Sequence, residues 1–325
     1  MKMKTDLLKD FVAGVEEQGL GVHGIVVRQH GEILDQHNII EEGRIQLFSA
    51  SKTWTAMAVG IAIDEGLFNI DDTLTDLLAE DLPKNVPEGY DRITVERMLT
   101  MSTGHAKCPI EYAQEEMLKM DPPAFGGDRT KMHDVWFDAF FKLPLTYRPE
   151  DKHFTYNNGA SYMLSLIVQK KSGMTLRDYL MPRIFEPLQI EDPEWDMEIQ
   201  GHCLGAIGLH LTTEELSRGG QLLLNGGRWN GRQLIPEAYV KAMGSKQVDN
   251  SHWEGDVESQ QGYGYQMWLS TYPGAYRMDG MFSQYSIQMP DIDAVVAITS
   301  REPAKGGDIL RLVWSTIAPK LKARG

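Results

Sequence analysis

One stretch, LFSASKTWTAMAVGIAIDEGLF from Leu47 to Phe68, constrains the fold of this chain more than any other. It reads as a single helix that begins near Ser49 or Ala50 and stops at Gly66. The body of that helix is apolar on nearly every side, so it belongs inside the protein rather than on its surface. Its longest apolar run, Ala56 to Ile63, is too short to span a bilayer. A chain of 325 residues is ample to enclose such a helix in a core. The helix opens on Ser49-Ala50-Ser51-Lys52, which places a lysine where burial is expected, and a buried lysine needs a reason.

The segments on either side divide by character. MKMKTDLLKDFVAGVEEQGLG has lysines but carries Asp and Glu throughout and lacks a long apolar core. It reads as an amphipathic helix rather than a signal peptide, and a cytoplasmic location is the expectation. GIVVRQHGEILDQHNII then shows two β-rich runs around His30-Gly31, a hairpin pattern. From Asn69 to about Gly205 the segments are mainly helical: ITVERMLTMSTG, EYAQEEMLKM, ASYMLSLIVQKKSG and LRDYLMPRIFEPL. Beyond them TTEELSRGGQLLLNGG reads as a helix ended by glycines, and Asn230-Gly231 marks a tight hairpin. YGYQMWLSTY, FSQYSIQMP and DAVVAITS read as antiparallel strands, and ILRLVWSTIAPKL as a closing helix.

Strands at both ends of a helical middle imply one α/β (α+β) sheet built from both ends of the chain, with a helical insertion. The expected division is 1–66 and 207–325 for the sheet region and 67–206 for the helical region, with the active site at their seam.

The formal net charge of −14 and pI near 5.1 repel nucleic-acid backbones and anionic membranes, so neither is expected as a partner. A small-molecule substrate fits better. Cys108 and Cys203 stand in no metal-like spacing and read as free buried thiols. Neither a metal nor a cofactor is expected. Gly19-Leu20-Gly21-Val22-His23-Gly24 formally matches G-x-G-x-x-G, but it follows a helix and leads into a strand, the reverse of a dinucleotide site. The sequence contains no G-x-S-x-G elbow, Walker A or H-E-x-x-H. No feature specifies an oligomer.

Three patches carry chemistry. In the first, residues three apart on a helix share a face, so the Ser49 hydroxyl and the Lys52 amine can meet. A serine is a poor nucleophile until a base takes its proton, and a lysine becomes such a base only if its pKa falls. Burial and the positive end of the helix dipole both depress it. By itself S-x-x-K also arises by chance, as an N-cap serine with a solvated lysine. The second patch is Tyr156-Asn157-Asn158, ahead of an apolar helix. A tyrosine near a lysine cation can shuttle a proton, and an asparagine two residues on can orient that lysine; taken alone the patch is ordinary turn chemistry. The third is Met278-Asp279-Gly280-Met281, leading into FSQYSIQMP. Gly280 would let a substrate approach the strand edge, and the Met281 N–H could donate to an oxyanion, whereas a plain bulge or turn is the simpler alternative.

In this order the three patches resemble the S-x-x-K, Y-x-N and K-T-G-type elements of the class C β-lactamase and penicillin-binding-protein-like superfamily. The resemblance extends through ITVERMLTMSTGH, YNNGASYMLSLIVQKKSGMTL, LTTEELSRGGQLLLNGGRWNGRQLIP and MPDIDAVVAITS, from about residue 20 to 315. It implies a mostly antiparallel sheet flanked by helices, plus an all-helical region. It also implies a serine hydrolase working through an acyl-enzyme. Ser49 would be acylated, Lys52 would accept its proton, Tyr156 would share base and acid duties, and Asn158 would order the site. The amides of Ser49 and Met281 would form the oxyanion hole. Lys52 and Tyr156 would titrate together, so either can take the first proton.

One departure matters. Met278 stands where the family presents a lysine, and Asp279 follows it. An acidic Asp279 would repel a substrate carboxylate, which points to an esterase or amidase acting on neutral or cationic substrates rather than to a β-lactamase or D-amino-acid peptidase. Pairing of Asp279 with Arg277 is the alternative. An acylatable binding or sensor protein with negligible turnover is a further reading of the same motifs. His105, His153, Tyr263, Tyr265 and Trp268 read first as structural residues, and Gln114-Glu115-Glu116 as a solvated helix face.

Overall fold

The computed structural model describes residues 6–40, 43–112 and 136–322. The readings of Gln114-Glu115-Glu116 and of most of EYAQEEMLKM lie outside the described residues; Glu111 and Tyr112 fall within them and are helical.

The framework is a six-stranded sheet of antiparallel pairs. Its strands are β1 (Val22–Gln29), β2 (Glu32–Asn38), β3 (Trp268–Leu269), β4 (Tyr276–Gly280), β5 (Gln284–Met289) and β6 (Ala294–Ser300). Their spatial order is β2-β1-β6-β5-β4-β3, so strands from the two ends of the chain meet at β1 and β6. The β1–β2 hairpin turns on His30 and Gly31, both at positive φ (53° and 83°), the geometry a two-residue turn needs. Asn230 and Gly231 (46° and 78°) do the same between Arg228–Trp229 and Arg232–Gln233.

Strand alternation divides the sheet into two faces. Ile25, Val27, Ile287, Val296 and Ile298 join one core with Phe11 and Val15 of helix α1 (Lys9–Gln18), and with Ile309, Val313 and Ile317 of the C-terminal helical run that starts at Gly306. The other face is covered by α4 (Thr213–Leu224), opened by a Thr212–Glu215 capping box. Gly219 and Gly220 let α4 fit between two layers. A Cβ on Gly219 would lie 2.4 Å from the Trp54 ring, and one on Gly220 would lie 2.2 Å from Ser286 Oγ.

Behind α4 lies α2 (Ser51–Asp64), buried continuously from Ser51 to Ala62, as its apolar body requires. It packs on α3 (Asn158–Ser172), buried from Gly159 to Gln169, in the main core. Among the described residues no helix is long and apolar enough to cross a membrane.

Two strand assignments need correction. Of YGYQMWLSTY only Trp268–Leu269 is strand, because the chain turns at Gln266, at positive φ (56°), and Tyr263 folds back to bridge Trp268. Tyr276–Gly280, by contrast, is a strand in its own right. Its residues alternate apolar and charged over only five positions, and Arg277 on the charged side is buried as well.

Candidate active site

A short 3-10 turn, Phe48–Ala50, runs directly into α2 and carries Ser49. Lys52 follows one helical turn later and is 1% exposed. The spacing therefore delivers the contact it promised: Lys52 Nζ and Ser49 Oγ are 2.9 Å apart. Lys52 Nζ also donates to Asn158 Oδ1 at 2.7 Å and to the Ala206 carbonyl at 2.8 Å. Both of these oxygens are acceptors. An unprotonated lysine has two N–H groups and one lone pair. With the N–H groups engaged by the two carbonyls, the lone pair is left for Ser49. Burial depresses the Lys52 pKa to about 7, with the Cys108 and Glu111 charges opposing the shift.

Tyr156 completes the cluster. Its phenol is close enough to Ser49 to feel it electrostatically, and its ring lies 5.0 Å from Lys52 Nζ. Burial pushes this phenol well above the ordinary tyrosine range, although the neighbouring Ser49 hydroxyl opposes that. The ring stacks on Trp268 at 5.5 Å between centroids.

The consecutive asparagines divide the work at the start of α3. Asn157 is the N-cap, accepting from the amides of Gly159 (2.9 Å) and Ala160 (3.3 Å). Asn158, the first helical residue, is thereby turned toward Lys52. Its Nδ2 donates to Glu111 Oε1 at 3.0 Å, which leaves the amide oxygen to face the lysine.

The third patch lies against the serine turn. A Cβ on Gly280 would sit 2.1 Å from the Leu47 carbonyl and 3.1 Å from the Ala50 amide. The neighbour that demands glycine here is thus the turn carrying Ser49. Close contact brings Met281, the next residue, up to that turn; its side chain is 62% exposed, so what it offers inward is backbone. Met278 is fully buried in the main core, in the same cluster as Leu47 and Ala50.

Asp279 pairs with Arg277, whose Nε and Nη2 both lie 2.9 Å from Asp279 Oδ2. The Arg277 guanidinium also donates to the carbonyls of Glu258 and Leu269 and to Ser270 Oγ. Burial still holds the Asp279 carboxyl above its usual range, despite the arginine. The expected repulsion of a substrate carboxylate by a lone Asp279 is therefore replaced by a neutral ion pair, whose cation is already committed. Arg277→Met should destabilise the fold by about 3 kcal/mol, because an uncompensated carboxylate would remain. The midpoint of urea unfolding measures this, and a loss under about 1 kcal/mol would mean the pair is dispensable.

Two site residues escaped the sequence reading. Glu111 carries no local pattern and reaches the site only through the fold. Gln266 is buried and ties three segments together: its Oε1 accepts from Ser161 of α3 at 2.6 Å, its carbonyl accepts from Thr53 of α2 at 2.9 Å, and its Nε2 donates to the Met98 and Leu99 carbonyls. The bent backbone that breaks the expected strand is what aims it. His105 is fully buried between Tyr90 and Thr103, and burial pulls its pKa down to about 4. His153 stacks between Tyr147 and His252. Both cysteines are free and buried. Among the described residues no His, Cys, Asp and Glu group could hold a metal.

An antiparallel sheet backed by a buried helix, with a serine on the turn that enters that helix and a lysine on its first turn, is the arrangement of the penicillin-binding-protein-like and β-lactamase-like class. Within that class the chain belongs to the beta-lactamase family, whose pattern it matches over residues 8–312. Over 163 residues it is 24% identical to a lovastatin esterase of Penicillium rubens. That match takes in 46% of this chain and 39% of the esterase, so it spans less than half of that relative's length. The octameric penicillin-binding protein homologue from Pyrococcus abyssi superposes with a TM-score of 0.71 at 19% identity, over 95% of this chain and 76% of that one. EstCE1, described as a hydrolase with promiscuous acyltransferase activity, superposes with a TM-score of 0.73 at 14% identity, over 96% and 98%.

Proposed function

We propose that the chain is a serine hydrolase acting through an acyl-enzyme on small esters or amides that lack a carboxylate beside the scissile bond. The observation that carries this reading is the Lys52 amine, buried, held by two carbonyls and facing Ser49 at 2.9 Å. Lys52, with its pKa near 7, takes the Ser49 proton; Tyr156, held far above neutrality by burial, stays a phenol and relays a proton to the leaving group. Ser49 Oγ bonds to the substrate carbonyl carbon, and the amides of Ser49 and Met281 receive the oxyanion. Collapse expels the alcohol or amine with a proton. Water then enters, gives its proton to the same base and releases the acid.

The substrate class follows from β4. Its cation, Arg277, is spent on Asp279, two carbonyls and a hydroxyl, so the strand offers no charge to hold a carboxylate. Relatives named for ester hydrolysis and acyl transfer support the same direction. Short p-nitrophenyl esters should therefore be turned over faster than penicillins or cephalosporins. A kcat/KM higher for a β-lactam than for every ester of a panel would overturn the assignment.

Glu111 acts through Asn158 and through its charge. That charge raises the Lys52 pKa, so Glu111→Gln should move the acid limb of the kcat/KM profile to lower pH. An unmoved limb would mean that the Glu111 charge is not felt at the base.

A further inference from the structure

Trp253 packs directly on Tyr156 yet has no part in the chemistry above. Its indole lies 6.2 Å from the Tyr156 ring, tilted by 50°, and meets the Phe154 ring edge to face at 5.5 Å. Phe154 is buried, whereas Trp253 is only half-buried, so part of the indole stays open to solvent beside Tyr156.

The loop that carries Trp253 is tied down at several points. Asn250, fully buried, closes it at the base: Oδ1 accepts from the Gly262 amide at 2.7 Å and Nδ2 donates to the Ser259 carbonyl at 3.0 Å. The Trp253 amide donates to the Asn250 carbonyl at 2.9 Å, and the Trp253 carbonyl accepts from Gln260 at 2.8 Å. His252 Nε2 donates to the Phe154 carbonyl at 3.0 Å, which docks the loop onto the segment leading to Tyr156. With Trp268 already stacked on the same ring, two indoles contact Tyr156.

The charges around this aromatic group favour one kind of occupant. Of the Arg277–Asp279 pair it is the acidic member that bears on the Tyr156 phenol, as does Glu111. Glu254, next to Trp253, is exposed at the rim. The face of an aromatic ring attracts a cation lying within about 6 Å of its centroid, and indole does so most strongly. The same surfaces offer a hydrocarbon only burial, and the carboxylates repel an anion.

We infer that Trp253, together with the Tyr156 ring, forms a subsite for an ammonium group carried on the leaving-group side of the ester or amide attacked by Ser49. The side follows from the role of Tyr156. The phenol returns a proton to the leaving atom, so what that atom carries emerges against the ring on which Trp253 packs. The inference rests on the hydrolase reading for this side and for its effect on rate, but not for binding of the cation itself.

The test has two arms. Acetylcholine and 3,3-dimethylbutyl acetate share a shape and differ by one charge. At pH 8, where Lys52 is mostly unprotonated, kcat/KM should be about tenfold higher for acetylcholine. That ratio should fall to about twofold or less in Trp253→Leu and recover in part in Trp253→Phe, which restores a ring. Both esters report on one preparation, so a variant that folds poorly lowers both rates and leaves the ratio readable. A wild-type ratio near one, or a ratio that Trp253→Leu leaves unchanged, overturns the subsite while the hydrolase stands. In the second arm, tetramethylammonium is titrated into Ser49→Ala and the indole N–H resonances are followed by NMR. The Trp253 signal is the one missing from Ser49→Ala/Trp253→Leu. A saturable shift of that signal supports the subsite even if no ester is hydrolysed, and its absence refutes it.

Discussion

Ser49→Ala is expected to fold normally and to lose turnover of every ester that the wild type hydrolyses, with kcat falling on the order of 10⁴- to 10⁶-fold. The expectation follows from position. Ser49 lies on a short turn whose shape is set by backbone contacts, including the Ala50 amide on the Leu47 carbonyl at 3.1 Å, and these do not need the hydroxyl. Removing that hydroxyl takes away the atom that lies 2.9 Å from the amine and faces the phenol, while stability should change by less than about 1 kcal/mol. Mass spectrometry after mixing with an activated ester gives the complementary reading: a transient adduct on Ser49 in the wild type and none in the variant. Full activity in Ser49→Ala would end the proposal.

Lys52→Met should separate catalysis from stability. Activity should fall on the order of 10²- to 10⁴-fold with loss of the base. Stability should move the opposite way. Burial holds the Lys52 pKa at about 7, below the ordinary lysine value of 10.5, so between those values the unfolded chain binds the proton that the folded chain has released. Stability contributed by this group therefore rises with pH across that window, and its cost is largest at neutral and acid pH. That cost is roughly 4 kcal/mol, offset on replacement by the loss of donors to Asn158 Oδ1 and the Ala206 carbonyl, so a net gain of about 1–2 kcal/mol is expected near pH 6. By pH 10 the burial cost has nearly gone while the lost donors still count, so the gain should reverse into a loss of about 2 kcal/mol. Urea unfolding of both proteins across that range measures it, and a variant less stable than wild type at pH 6 would show that the lysine is not strained by burial. The wild-type kcat/KM should in turn rise with pH through a midpoint near 7.

Much of this site could be read before any coordinates, and the reason is local geometry. Ser49 and Lys52 are one helical turn apart, so a correct helix start was sufficient to bring them together. Asn157 and Asn158 were legible as a helix entry, although which of the pair caps and which reaches the lysine depends on the start of α3. The β-branched and aromatic residues of β1, β5 and β6 likewise revealed those strands.

What stayed hidden is tertiary. Glu111 meets Asn158 across 47 positions and Gln266 meets Ser161 across 105, distances over which no periodic pattern speaks. Asp279 is the sharpest case. Both its isolated and its paired form were open from the residues alone. The choice turned on whether Arg277, two places earlier and on the same side of β4, was buried beside it. A charge that reads as exposed in a sequence is, in the folded molecule, half of a neutral pair.

The pairing of β1 with β6 has a consequence for biosynthesis. Val22 is registered against Ser300, so the middle of the sheet joins stretches made near the beginning and near the end of the described chain. At roughly 5–20 residues per second, a ribosome leaves the early hairpin waiting many seconds for its neighbour. Throughout that interval the apolar Val22–Gln29 segment has an open hydrogen-bonding flank, a template for intermolecular association. Nascent molecules of this protein should therefore depend on holdase chaperones until β6 emerges, and refolding from denaturant should be slow and sensitive to concentration.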